Sequence, residues 1–139
     1  MTPDGKICVL LVDDDVNVRK SVSIGLTVLG FDVAMAKNGI QALALLTRDY
    51  LPESALLPGA TYDADVILLD LLMPIMDGYE FLEQYPGPVP VVVMSGLGEI
   101  AGLPRHPFAL VVKPMSMHEI APTLREAAQS WRTQGDAPK

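Results

Sequence analysis

Five short, mainly apolar runs, each followed by a polar residue, constrain the fold of this chain more than any other feature of its sequence. The runs cover residues 7–12, 31–36, 66–69, 89–94 and 108–112. A continuous and partly β-branched run such as residues 7–12 is typical of a strand that is buried on both faces of a parallel sheet. The pattern therefore predicts a five-stranded parallel sheet with helices on both of its faces.

Segments with helical spacing alternate with these runs. Apolar residues three or four positions apart predict a first helix that ends near Gly30. Shorter helices are expected near residues 40–46, 79–84 and 99–103. A capping box at Ser116 predicts the last helix, in which Pro122 favours either a kink or a later start. We interpret residues 49–64 as a long loop, residues 1–132 as one domain and residues 133–139 as a polar tail or linker.

Residues with acidic, hydroxyl or amino side chains follow the predicted strands. Asp13 and Asp14 follow the first run, Asp70 the third, Ser95 the fourth and Lys113 the fifth. In open parallel sheets ligands bind beyond the carboxyl ends of the strands. Clustered carboxylates need a counter-charge, which Mg²⁺ supplies, and a carboxylate can attack phosphorus. Each residue alone has a plainer explanation as a turn or surface residue, but together they predict phosphoryl transfer onto an aspartate.

Composition excludes several other classes of protein. The formal net charge of −7 disfavours direct binding to nucleic acid. No apolar stretch is long enough to cross a bilayer, and the first residues lack the pattern of a secretory signal. The single cysteine, Cys8, has no partner for an internal disulfide. We therefore expect a cytoplasmic domain that does not insert into membranes.

Four segments of the chain resemble the signature blocks of bacterial response-regulator receiver domains. The segments are residues 9–15, 68–78, 93–96 and 111–114, and they occur in the order found in that family. The resemblance implies a flavodoxin-like (βα)5 fold, with a doubly wound parallel sheet in the strand order 2-1-3-4-5. It also implies a phospho-accepting switch of two-component signalling rather than an enzyme.

The resemblance assigns a role to each polar residue at the strand ends. Asp70 resembles the phospho-acceptor, which also contributes to the metal site. Asp14 resembles the direct ligand of Mg²⁺ (or Mn²⁺), and Asp13 resembles the ligand that acts largely through water. Ser95 and Lys113 resemble the switch hydroxyl and the lysine that contact the bound phosphoryl group.

Three leucines add to this assignment or depart from it. Leu72 resembles the residue whose backbone carbonyl binds the metal. Leu72 and Leu97 replace polar residues that guide a hydrolytic water in other members, so we expect slow dephosphorylation. Leu110 stands where the family usually has a tyrosine or phenylalanine that follows the switch hydroxyl, and we interpret it as a core residue.

The resemblance also implies partners, and the sequence leaves other functions open. The phosphoryl donor would be a sensor histidine kinase or a histidine phosphotransfer protein. The output surface would be formed by the family's fourth helix, fifth strand and fifth helix, which also offers a surface for a homodimer. One alternative is an interaction module that does not depend on phosphorylation. Another is a Mg²⁺-dependent phosphatase, with a nucleophile in the pattern formed by Asp13 and Asp15.

Overall fold

The computed structural model describes residues 1–46, 62–73, 75–85, 87–96, 103–104, 107–113 and 116–136, with side chains described as far as Trp131. Its strands are β1 (Cys8–Val12), β2 (Asp32–Ala36), β3 (Val66–Asp70), β4 (Val91–Ser95) and β5 (Ala109–Val112). They form one parallel sheet in the order β2-β1-β3-β4-β5. The predicted doubly wound sheet and its strand order are confirmed.

The helices of the described residues are α1 (Val16–Val28), α2 (Gly39–Leu46), α3 (Gly78–Gln84) and α4 (Met117–Asp136). Asp15 caps α1, because its side chain accepts hydrogen bonds from two backbone N–H groups of the first turn. Gly30, with a φ of +94°, follows the end of α1 as expected. Most of the helix predicted near residues 99–103 and most of the long loop predicted at residues 49–64 lie outside the described residues.

The last helix begins at the predicted capping box. Ser116 Oγ accepts a hydrogen bond from the backbone N–H of Glu119 at 3.2 Å, and Pro122 lies inside α4. The helix therefore begins at the capping box, as predicted, and the later start that Pro122 would also have allowed is wrong. Because α4 continues through Asp136, residues 133–136 of the predicted tail are helical.

The three central strands, β1, β3 and β4, are buried on both faces, which explains why they are almost entirely apolar. In β1, Leu10 packs with the residues of α2 and α3, whereas Val9 and Leu11 pack with those of α1 and α4. These three side chains have no exposed surface. The alternation along β1 directs successive residues to opposite layers. The sheet is thus a rigid base for the residues that follow its strands.

The edge strand β5 departs from this pattern. Leu110 is 40% exposed, and Phe108 and Val112 on the same face are exposed to a similar extent. The interpretation of Leu110 as a core residue is therefore wrong. The physical reason is that β5 pairs with β4 alone and its side chains alternate between half-buried and exposed.

Ile75 carries backbone strain that predicts a stabilising substitution. It has a φ of +70°, which β-branched residues rarely adopt, and its side chain is 74% exposed. We expect Ile75→Asn to raise the free energy of unfolding by about 1 kcal/mol, because asparagine tolerates this conformation. Urea titration measures the difference, with Ile75→Val as the control that keeps the branched Cβ. A less stable asparagine variant would contradict the explanation.

Candidate metal centre

Neighbouring strands bring three acidic residues together at the carboxyl edge of the sheet. Asp13 and Asp14 follow β1, and Asp70 is the last residue of the adjacent β3. Each offers one carboxylate oxygen, and these oxygens all lie within 4.8 Å of one another. The three acids predicted to form a metal site therefore meet in space, although Asp70 lies more than fifty residues after Asp13 and Asp14 in sequence.

The buried carboxylate of Asp13 has one unsatisfied oxygen. Asp13 is only 1% exposed. Its Oδ1 accepts a hydrogen bond from the backbone N–H of Asp15 at 2.9 Å, but its Oδ2 has no hydrogen-bond partner. A buried carboxylate oxygen without a hydrogen bond is costly, and it calls for a positive group nearby. This atom, together with the all-oxygen donor set, fits a hard divalent cation.

Lys113 is the cation that the structure brings to this cluster. Its Nζ lies 3.3 Å from Asp70 Oδ1 and 3.6 Å from Asp13 Oδ2. Its backbone N–H also donates to the carbonyl of Ser95 at 2.7 Å, which ties the residue to the end of β4. One ammonium group against three carboxylates leaves an excess of negative charge among these residues. That excess further favours a divalent cation.

The environment of Asp70 makes its ionised form unfavourable without a cation. Burial raises the pKa of the Asp70 carboxyl, and the negative charges of Asp13 and Asp14 raise it further. The ammonium group of Lys113 acts against this shift but does not cancel it. The raised pKa of Asp70 therefore reflects burial first and the two neighbouring carboxylates second, and a bound cation would act against both.

The turn after Asp70 depends on a close backbone approach. The backbone N–H of Gly78 donates to the carbonyl of Leu71 at 2.9 Å, and Asp77 caps α3 by accepting from the N–H of Glu80 at 2.9 Å. A Cβ at Gly78 would lie 2.7 Å from the carbonyl oxygen of Asp70. Only glycine therefore allows α3 to begin so close to the end of β3.

The remaining predicted site residues have different outcomes. Ser95 is buried at the end of β4, adjacent to β3. Leu72 follows Asp70 by two positions, and its side chain is 70% exposed, so the role of its carbonyl stays a prediction. Leu97 lies outside the described residues. Sequence reasoning missed Arg19, whose Nη1 donates to the backbone carbonyl of Asp13 at 2.8 Å.

Comparison with known proteins decides the family. The family model for the response regulator receiver domain matches residues 9–125 of the chain. The chain belongs to this family. Receiver domains are generally phospho-acceptors of two-component systems rather than enzymes, and they bind Mg²⁺ at an acidic pocket. Receiver domains generally interact with histidine kinases or phosphotransfer proteins.

Similar proteins include regulators much longer than this chain. A probable transcriptional regulator ycf27 from Porphyra purpurea is 30% identical over 123 residues, which cover 84% of this chain and 45% of that protein. The regulatory protein AtoC from Escherichia coli is 30% identical over 128 residues, 87% of this chain and 25% of that protein. The chain therefore spans about half or less of the length of these relatives.

Solved structures of receiver domains share the fold. The chemotaxis response regulator CheY4 of Vibrio cholerae has a TM-score of 0.68 and 26% identity, covering 88% of this chain and 99% of that one. The receiver domain of the Francisella response regulator 1452 has a TM-score of 0.73 and 24% identity, covering 90% and 98%. In the described part of the chain, no helix has the length and apolar character needed to span a membrane.

Proposed function

We propose that this receiver domain accepts a phosphoryl group on Asp70 in a Mg²⁺-dependent reaction. The observation that carries the proposal is the unsatisfied Oδ2 of Asp13, which lies in a cluster of three carboxylates opposed by Lys113. A structural salt bridge would not need three acids for one lysine. Three acids around one lysine are instead expected where a pocket binds a divalent cation together with an anionic phosphoryl group.

The acidic residues at the sheet edge would hold the metal ion. Asp13, Asp14 and Asp70 supply carboxylate oxygens for Mg²⁺ (or Mn²⁺), and the backbone carbonyl of Leu72 adds a further oxygen ligand. When bound, the ion offsets the negative charge of the phosphoryl oxygens. The pocket suits this ion because all of its donors are hard oxygen atoms.

The residues of the chain itself account for the rest of the reaction. An ionised Asp70 oxygen bonds to phosphorus while the bond between phosphorus and the leaving group breaks, and the leaving group keeps the electron pair of the broken bond. Lys113, already 3.3 Å from Asp70 Oδ1, is close enough to pair with a phosphoryl oxygen. The Ser95 hydroxyl then donates to another. Leu72 and Leu97 offer no polar group to orient water, so hydrolysis is slow.

The signal would pass from the site to β5 through the backbone. Ser95 pairs in register with Val112, and the N–H of Lys113 donates to the Ser95 carbonyl. A movement of Ser95 therefore pulls on the end of β5 even though Leu110 replaces the usual aromatic residue. The output surface includes β5 and α4, and it serves either an effector or a homodimer.

The proposal is tested by measuring the phosphoryl mass. We expect acetyl phosphate with Mg²⁺ to add one phosphoryl group to the wild type and none to Asp70→Asn. Asp15→Asn is the matched control, because Asp15 caps α1 and asparagine also caps helices. The added mass should persist for longer than seconds. Phosphorylation that survives Asp70→Asn would overturn the assignment.

The other candidate functions have less support. A phosphatase with the Asp13 and Asp15 pattern needs both side chains at the site, but Asp15 is engaged with α1. An interaction module that is independent of phosphorylation has no use for a buried Asp13 oxygen that lacks a hydrogen bond. We further propose that residues 1–132 form the receiver unit, that it acts in the cytoplasm, and that it does not bind nucleic acid directly.

A further inference from the structure

The side chain of Arg19, in the first turn of α1, folds back to the acidic edge of the sheet. Its Nη1 donates a hydrogen bond to the backbone carbonyl of Asp13 at 2.8 Å. Within the described ranges, the guanidinium forms no ion pair with a carboxylate. The bond to Asp13 is therefore not a by-product of a salt bridge.

The hydrogen bond from Arg19 is one of three that hold Asp13 in place. The backbone N–H of Asp13 donates to the carbonyl of Ala36 at 3.1 Å, and its Oδ1 accepts from the N–H of Asp15. With Arg19 on the carbonyl, Oδ2 is the polar atom of Asp13 left without a hydrogen bond. Three hydrogen bonds thus fix the position of Asp13, while its Oδ2, near Lys113, accepts none.

The same bond also restrains Asp14. The carbonyl of Asp13 and the N–H of Asp14 belong to one planar peptide group, so a hydrogen bond to the first orients the second. Asp14 lies in the exposed loop between β1 and α1, where its backbone would otherwise move more freely. Arg19 therefore acts on both acids that follow β1.

We propose that Arg19 is a positioning residue for the divalent cation of this domain, an inference that rests on the function proposed above. Arg19 affects the affinity for Mg²⁺ in two ways that act in opposite directions. The positive charge of Arg19 repels a cation, so loss of that charge alone would strengthen Mg²⁺ binding. Loss of the hydrogen bond loosens Asp13 and Asp14, which weakens Mg²⁺ binding.

The sign of the change in Mg²⁺ affinity is therefore the test. We expect Arg19→Met to bind Mg²⁺ about tenfold more weakly than the wild type in calorimetric titrations at fixed ionic strength. Lys20→Met is the matched control, because it removes the same charge from the exposed neighbouring position. We expect it to bind Mg²⁺ as tightly as the wild type or slightly more tightly.

Each outcome separates the two proposals. A wild type that binds no Mg²⁺ would overturn the proposed function. If the wild type binds Mg²⁺ and Arg19→Met binds it equally well or better, the positioning role is wrong, even when the melting temperature of the metal-free variant falls. If the methionine variant does not fold, Arg19→Gln takes its place, because it also removes the charge and its Mg²⁺ affinity can be compared with the wild type in the same way. We expect Arg19→Lys to lie between the wild type and Arg19→Met.

Discussion

Gly78→Ala is expected to lower the free energy of unfolding by about 3 kcal/mol and to prevent phosphorylation of Asp70. The added Cβ would lie 2.7 Å from the carbonyl oxygen of Asp70 and 2.7 Å from the Cα of Leu71. Both are backbone atoms, so no side-chain rotation relieves the contact. Helix propensity alone predicts the opposite sign, because alanine is favoured over glycine by about 1 kcal/mol.

Gly96→Ala is the matched control for this prediction. Gly96 also follows a residue of the site, Ser95, but a Cβ there would meet nothing within 4 Å. We expect its stability to stay within about 0.5 kcal/mol of the wild type. Urea unfolding followed by circular dichroism measures both variants, and mass spectrometry after acetyl phosphate measures the site. A Gly78→Ala variant as stable as the wild type would refute the backbone-contact explanation.

Mg²⁺ is expected to stabilise the folded domain by about 2.7 kcal/mol at one hundred times its dissociation constant. For a domain of this size that corresponds to a rise in melting temperature of roughly 10 °C. The reason is that the ion relieves the excess of negative charge at the Asp13, Asp14 and Asp70 cluster. Asp14→Asn should lose most of this rise, whereas Asp15→Asn should keep it. An equal rise in both variants would place the ion elsewhere.

The pH dependence of the metal-free protein follows from the raised pKa of Asp70. Its carboxyl ionises less readily in the folded than in the unfolded state, so its charge costs stability above the folded-state pKa. We expect metal-free Asp70→Asn to be more stable than the wild type at neutral pH, by about 1 kcal/mol. This difference should shrink as the pH falls through the folded-state pKa towards the ordinary aspartate value. If the stability difference between the two proteins grows on acidification, the pKa of Asp70 is not raised in the folded state.

The sheet and the acidic cluster were predictable because both follow from simple periodic rules. Continuous apolar runs such as residues 7–12 occur where a strand is covered on both faces, and parallel strands end at one edge. Asp13 and Asp70 therefore had to meet once β1 and β3 were neighbours. Asp15 was predictable as a cap, because its position before a helical face determines its hydrogen bonds.

The features that sequence reasoning missed depend on geometry that no local pattern encodes. Leu110 has the residue type of a core position, but its exposure depends on what covers the edge strand β5. Arg19 reads as a solvated charge on a helix, since only the folded path of the chain brings the Asp13 carbonyl within its reach. Isoleucine rarely adopts a positive φ, so the residue type at position 75 would not predict this backbone conformation.

The single tryptophan of the chain lies far from this chemistry. The indole N–H of Trp131 donates to the carbonyl of Asp65 at 2.7 Å, which precedes β3, while Asp70 ends that strand. Five residues of extended chain separate the two positions by roughly 17 Å. Intrinsic fluorescence should therefore follow global unfolding with little response to cation or phosphoryl occupancy, which gives this domain a built-in optical probe that separates loss of the fold from events at the acidic edge.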